Sequence, residues 1–263
     1  MKQRLDQALV DRGLVATRSQ AENWIRLGKV FVDGKAVTKS GHFVTDEQKI
    51  ELKAKEQYVS RAGLKLASVA KLLKLNFRDK VMLDVGSSTG GFTDYALQHG
   101  AKKVIAVDVG TDQMHPSLLG HPKIELHEQT DIRDVYLKKD EDRMEKGEGS
   151  RRSPFVLLSS APDIVVIDVS FISLRDILPH VATLCHKDTI IVAMLKPQFE
   201  ATAAHLKHKG VIKNDRMRRD ILKDFEAWSR QYFVILDKAD SQIAGAKGNL
   251  ERFYKLKKAE DRR

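Results

Sequence analysis

A single cysteine, Cys185, stands among 263 residues. Without a second one there is no disulfide frame and no cysteine zinc site, and a reducing cytoplasm is the default expectation. No apolar run reaches the length that crosses a bilayer, and no secretory signal opens the chain. The nine histidines show no paired ligand spacing, so no metal is expected. Phosphate-binding turns are missing too. The glycine-rich turn over residues 86–91 has neither the dinucleotide spacing G-x-G-x-x-G nor the Gly-Lys-Ser/Thr ending of a P-loop.

What is present is a basic chain able to bury a core. Apolar residues make up 42% and the formal net charge is +10. That charge points to a polyanionic partner, although surplus lysine also serves as a solvated surface.

The most informative stretch begins with the apolar run Val81-Met82-Leu83, which ends in Asp84-Val85-Gly86. The small-residue turn Ser87-Ser88-Thr89-Gly90-Gly91 follows, and then the helical pattern Phe92 to Leu97. A second apolar run, Val104 to Val107, ends in Asp108. Strand, turn, helix, strand and acid in that order are how an open α/β sheet holds an adenosine-containing cofactor at the carboxyl ends of its strands. A pyrophosphate needs several amides aimed at it, and Asp84 would repel it. A carboxylate suits a cationic ligand, and Asp108 suits a ribose diol. Cation, ribose and adenine together describe S-adenosyl-L-methionine. Its expected contacts are Asp84, Gly86, Ser87, Thr89, Gly90, Gly91, Asp108 and the later acid Asp131. The bland alternative is a structural glycine turn in an unrelated α/β domain.

Two domains are expected, with a linker over residues 57–62. In residues 1–56 helical spacing of Leu5, Leu9 and Val10 is closed by Gly13, and a second helix runs from Thr17 or Ser19 to Gly28. Val30-Phe31-Val32 and Ala36-Val37 flank Asp33-Gly34, which signals a two-strand hairpin. Residues 63–263 alternate apolar strands with helical patterns. The strands are Ile124-Glu125-Leu126, Ile164 to Ile167, Thr189 to Leu195, Tyr232 to Leu236 and Arg252 to Leu256. That alternation predicts a parallel, doubly wound α/β sheet. Residues 138–160, charged and glycine-containing at their start, read as a flexible surface insertion.

Residues 1–56 resemble the RNA-binding domain of the small-subunit ribosomal protein S-four. The matching residues are Arg4-Leu5-Asp6, Gly13-Leu14, Arg18, Ala21, Ile25 and the run Gly28 to Gly34. The resemblance implies RNA contacts at Arg4, Arg18, Arg26 and Lys29. The module carries 11 Lys+Arg against 8 Asp+Glu; an ordinary charged helix face is the alternative. The basic residues Lys207, Lys209, Lys213, Arg216, Arg218 and Arg219 form a second phosphate track or a solvated face.

Ligands in such sheets lie beyond the carboxyl ends of the strands, where Asp168 and Lys196 emerge from adjacent apolar runs. A lysine there is either a charge entering solvent or a proton acceptor, and the second role requires a lowered pKa. Lys65, on a helix before the first strand, is a candidate second cation, and Glu251, after Gly248-Asn249, a candidate orienting acid.

The whole chain resembles the TlyA family, known both as haemolysins and as ribosomal RNA 2′-O-methyltransferases. Its larger domain is similar to that of the FtsJ-type RNA methyltransferases, which carry a Lys-Asp-Lys-Glu tetrad. Tyr58 to Leu66 supplies Lys65, and Asp163 to Leu174 supplies Asp168. Leu195-Lys196-Pro197-Gln198-Phe199-Glu200 supplies Lys196, and Gly245 to Glu251 supplies Glu251. The resemblance implies a Rossmann-like class I methyltransferase fold that modifies ribosomal RNA or ribosomal subunits; a monomer and no membrane partner are expected beside it. Lys196 would be the base, Lys65 would lower its pKa and position the ribose, and Asp168 with Glu251 would hold the lysines. Many FtsJ-type enzymes carry a proline shortly after the aspartate; here the run is Asp168-Val169-Ser170-Phe171. Phe171 suits stacking on a flipped-out base, or the core, the commoner fate beside a buried strand. Three rivals stand beside this reading. A base-directed N-methyltransferase would show Asn/Asp-Pro-Pro-Tyr/Phe at Asp168. An RNA-binding protein could have lost its donor, and a membrane-lysing protein would need a strongly apolar amphipathic face.

Overall fold

The computed structural model describes residues 2–15, 17–26, 28–53, 58–138, 156–201, 210–212, 214–245 and 248–259. Two compact units make up the chain, Met1–Arg61 and Ala62–Arg263.

The first unit runs β1 (Lys2–Arg4), α1 (Leu5–Asp11), α2 (Arg18–Arg26), β2 (Val30–Val32), β3 (Lys35–Val37), β4 (Phe43–Thr45) and β5 (Ile50–Leu52). Leu5, Leu9, Ala21, Trp24 and Ile25 are buried, the one-face burial that helical spacing dictates. Thr17 opens α2, its Oγ1 accepting from the Gln20 N–H at 3.2 Å. Val32 pairs with Lys35, so Asp33 and Gly34 make a two-residue turn with φ of 48° and 79°. Positive φ at both positions gives the twist that a tight hairpin needs. β5 joins β2 as a third strand and β1 pairs with β4. Elements of three residues are too short for alternation to announce them, so the expected hairpin is one part of a larger arrangement.

Asp6 is fully buried in the first turn of α1. Its carboxylate accepts from Arg4 Nε at 3.0 Å, Arg4 Nη2 at 2.8 Å and Arg18 Nη2 at 2.9 Å. One buried anion thereby ties α1 to α2. Chiefly through its bond from Arg4, Asp6 is held down at about 2.

The second unit is built on a seven-stranded sheet. In chain order its strands are β6 (Val81–Val85), β7 (Lys103–Val107), β8 (Ile124–His127), β11 (Ile164–Ile167), β12 (Ile190–Leu195), β13 (Phe233–Asp240) and β14 (Arg252–Lys258). Across the sheet they lie in the order β13, β14, β12, β11, β6, β7, β8. Four of the five contiguous parallel strands, β12, β11, β6 and β7, are buried on both faces, which is why they read as apolar runs. Among the described residues, the unit's α-helices are α3 (Arg61–Ala70), α4 (Gly91–Gln98), α5 (Leu174–Thr183), α6 (Pro197–Glu200) and α7 (Asp215–Ser229). Ile177, Leu178, Val181 and Phe225 from α5 and α7 pack with Val165, Ile191 and Tyr254 of the sheet.

Two expectations change. The sheet is mixed, because β14 runs antiparallel to both β12 and β13. Only residues 241–251 join β13 to β14, too short for the helical crossover a parallel neighbour needs. The far end of the insertion expected over 138–160 is regular structure. Val156–Leu158 form β10, paired with β9 (Val135–Leu137), because Val156 and Leu158 pack into the core. Residues 139–155 lie outside the described residues.

Asp6→Asn should lower the stability of the first unit by roughly 1–3 kcal/mol, toward the lower end because Arg4 and Arg18 are half exposed. A depressed carboxyl stabilises above its unfolded value and loses that contribution as pH falls. The wild-type denaturant midpoint should therefore drop as pH falls from about 4 to about 2, and the variant should lack that step. Equal acid dependence in both proteins would exclude the buried anion as the tie.

Candidate active site

Four parallel strands end on one edge of the sheet, and the residue after each enters the site: Gly86 after β6, Asp108 after β7, Asp168 after β11 and Lys196 after β12. Because β14 runs the other way, its first residue lies on that edge. Leu195 pairs with Arg252, which brings Glu251 beside Lys196. Lys65 arrives from α3.

The four tetrad residues form two ion pairs. Lys196 Nζ lies 2.6 Å from Asp168 Oδ1, and Lys65 Nζ lies 2.5 Å from Glu251 Oε2. Lys196 Nζ also donates to Ser170 Oγ at 2.7 Å, a contact the sequence did not single out. Its only signal was the hydroxyl two residues after Asp168. Glu251 is buried, and burial pushes its carboxyl up from the ordinary range. Lys65 opposes that push most, Asp168 adds to it, and Lys196 opposes it less. The two pairs therefore share one electrostatic field. Gly245 makes room: a Cβ there would lie 2.7 Å from Glu251 Oε1.

Beside the pairs opens a cavity of about 310 Å³, at the lower end of the range for small-molecule sites. Its polar lining includes Ser88, Asp108, Gln113, Asp131, Asp168 and Ser170, with Val109, Ile132 and Ile177 as apolar wall. Gly86 sits at the floor with φ of 80°, and a Cβ there would meet the Asp168 carbonyl oxygen at 2.8 Å. Only glycine fits that left-handed backbone and that close approach. Asp108 accepts from the Ser88 N–H at 2.8 Å and the Gly110 N–H at 2.7 Å, which anchors the turn. Asp131 lines the cavity with its carboxylate taken up by Arg133. Ser87 and Gly90 are buried, Thr89 is exposed, and Gly91 begins α4. A larger cavity of about 510 Å³ opens on the opposite edge, where β6, β11 and β12 begin, away from the ion pairs.

Asp84 does not line the site cavity. It is 1% exposed and accepts from Thr93 Oγ1 at 2.6 Å, so it braces α4 against β6. Its position one residue before the strand end turns it inward. Burial pushes its carboxyl up to about 7. Phe171 is not core. It is 91% exposed at the cavity rim, with φ of 65°.

In the first unit, Arg4 and Arg18 spend hydrogen bonds on Asp6 and remain half exposed. Lys29 is exposed at the start of β2, and the side chain of Arg26 lies outside the description. Of the second basic stretch, Lys207, Lys209 and Lys213 fall outside the described residues. Arg218 pairs with Asp240 at 2.6 Å, whereas Arg216 and Arg219 are exposed.

In the unfolded chain an aspartate ionises near pH 3.9, whereas folded Asp84 ionises at about 7. Between those values the folded state holds the extra proton, so stability falls as pH rises. Asp84→Asn keeps an acceptor for Thr93 and should remove that fall, read as urea midpoints across the window. A variant with the wild-type slope would assign the titration elsewhere.

Residues 58–258 match the FtsJ-like methyltransferase family and residues 3–50 match the S4 domain. Hemolysin A of Brachyspira hyodysenteriae is 35% identical over 94% of this chain and 97% of its own length. The 16S/23S rRNA (cytidine-2′-O)-methyltransferase TlyA of Mycobacterium tuberculosis is 31% identical over 98% and 91%. The 23S rRNA (cytidine-2′-O)-methyltransferase TlyA of Campylobacter jejuni is 37% identical over 80% and 75%. A solved chain described as a candidate hemolysin of Streptococcus thermophilus superposes with a TM-score of 0.67 at 33% identity, covering 98% of this chain and 89% of that one. The mostly parallel sheet with its antiparallel β14, the glycine turn and the two families matched in series lead to one assignment: the chain belongs to the TlyA family, an S4 domain followed by an FtsJ-like methyltransferase domain.

Proposed function

We propose that the chain transfers a methyl group from S-adenosylmethionine to a ribose 2′-hydroxyl of ribosomal RNA. The observation that carries this reading is the convergence of Lys196–Asp168 and Lys65–Glu251 on the carboxyl edge, beside the cavity floored by Gly86. Two relatives bear the name of cytidine-2′-O-methyltransferases of ribosomal RNA.

The cavity suits the donor. Its apolar wall fits a purine, Asp108 fits a ribose diol, and Asp168 adds negative charge near a cation. Ser87, Thr89, Gly90, Gly91 and Asp131 belong to the same turn and rim; Asp84 acts from behind the turn by fixing α4. Bound there, S-adenosylmethionine supplies an electrophilic methyl group.

The chain's own residues do the rest. A ribose hydroxyl attacks poorly until its proton is taken. Lys196 Nζ, held by Asp168 and Ser170, takes that proton as the oxygen attacks in line. Lys65, held by Glu251, positions the ribose. Phe171, exposed at the rim, offers its ring to a base turned out of its stack. Residues 1–56 would dock structured RNA, 57–62 would link, and 63–263 would react. Arg18 and Lys29 present charge for phosphate, with Arg4 held alongside through Asp6. A cytoplasmic monomer fits that substrate. Base nitrogen chemistry has no use for paired lysines, and neither proline of its motif follows Asp168. Among the described residues no helix is long and apolar enough to cross a membrane.

The test is labelled donor with ribosomal subunits and with naked ribosomal RNA, followed by mapping of alkali-resistant linkages. Label on a base nitrogen, or on no RNA, would sink the reading. Lys196→Ala should lower the rate by roughly 10²-fold or more. Wild-type activity in Lys196→Ala would retire Lys196 as the base.

A further inference from the structure

Beyond the carboxyl edge, segments 168–174 and 196–200 are joined at three successive levels. At the first, Lys196 Nζ reaches Asp168 Oδ1 at 2.6 Å and Ser170 Oγ at 2.7 Å. At the second, the rings of Phe171 and Phe199 stand 5.2 Å apart with an interplanar angle of 47°. At the third, Glu200 accepts from Ser173 Oγ at 2.7 Å and from the Leu174 N–H at 2.6 Å. The rungs keep the order of the chain, so the two segments form a short ladder made of side chains.

Glu200 has no part in the tetrad, yet it is 5% exposed and uses both carboxylate oxygens. Ser173 is the N-cap of α5, its Oγ accepting from the Arg175 N–H at 3.1 Å. The anion of Glu200 therefore grips the first turn of α5, where free amides and the helix dipole favour negative charge. Burial pushes the Glu200 carboxyl up, and the Ser173 hydroxyl and Leu174 amide resist that push. Between the gripped ends lies Phe171 at φ of 65°. A non-glycine residue holds such a conformation only where its surroundings over-determine it.

We propose that Glu200 is a positioning residue for the transfer reaction: by tying the α6 turn to the start of α5, it holds segment 168–174 against Lys196. It thereby sets where Asp168, Ser170 and Phe171 stand. The inference rests on the reading of Lys196 as the base, and it predicts a specific division of effects. Glu200 does not line the cavity beside the ion pairs, so its loss disturbs the reacting geometry more than binding.

The test compares Glu200→Ala and Glu200→Gln in the full chain. Alanine leaves the Leu174 amide and the Ser173 hydroxyl without their acceptor. Glutamine restores a carbonyl acceptor for the Leu174 N–H, and its amide N–H donates to Ser173 Oγ in place of the lost bond. In Glu200→Ala, amide hydrogen exchange over residues 168–174 should quicken at least tenfold, with β6 and β7 unchanged. The kcat should fall tenfold or more, with KM for RNA and for the donor within twofold. Glu200→Gln should exchange within threefold of wild type and recover at least half of kcat. Wild-type exchange and kcat in Glu200→Ala would overturn the proposal. So would faster exchange across the whole sheet with both KM values raised, or a glutamine variant no better than alanine. If wild-type chain labels no RNA, the functional reading fails by itself, and the exchange comparison decides whether Glu200 holds the segment.

Discussion

The site depends on one strand pairing, β14 against β12 in opposite directions. Leu195 opposite Arg252 puts the end of one strand beside the start of the other, so Lys196 and Glu251 share an edge. Were β14 parallel, Glu251 would sit at the far edge. Seven residues at about 3.4 Å each put that edge roughly 24 Å away. No rotamer of a glutamate spans such a gap, and Lys65 would be left as a buried, unpaired cation.

Burying a charge is costly unless it finds a partner; Lys65 and Glu251 are buried, Asp168 and Lys196 half-buried, and the geometry supplies a partner for each. Breaking a buried pair costs more than forming it gains. The pairs join residues 65 with 251 and 168 with 196. Each thus closes a long loop of chain and favours the native strand order over alternatives. Pairs of this kind are weak contributors to net stability. Their presence at the one edge where ligands bind in such sheets is better explained by chemistry than by stability.

Around the pairs, rigidity is built from backbone contacts and hydrogen bonds. Gly86 allows the turn to press on the Asp168 carbonyl, and Asp108 pins the turn through two amides. Asp84 braces α4 from behind. On the other flank, Glu200 and Lys196 hold the two ends of the segment that carries Phe171. Rigid support of this sort matters because a displacement near 1 Å at a reacting centre costs far more than the contact that prevents it.

Much of this was legible in the residues. The apolar runs announced strands because strands buried on both faces must be apolar throughout, and Asp33-Gly34 announced its turn because it needs positive φ twice. The order strand, glycine turn, helix, strand and acid marked the ligand edge. What the sequence could not carry is anything set by packing between distant segments. The inward position of Asp84 is fixed by Thr93 of α4, and Phe171 is held at the rim by a ladder whose rungs lie some 27 residues apart. The direction of β14 follows from the short 241–251 connection, and whether two lysines and two acids meet depends on that direction. Periodicity and motif spacing are local properties of the chain, so they determined which residues could react. Strand order and register are non-local, and only the tertiary structure decided which of those residues stand together.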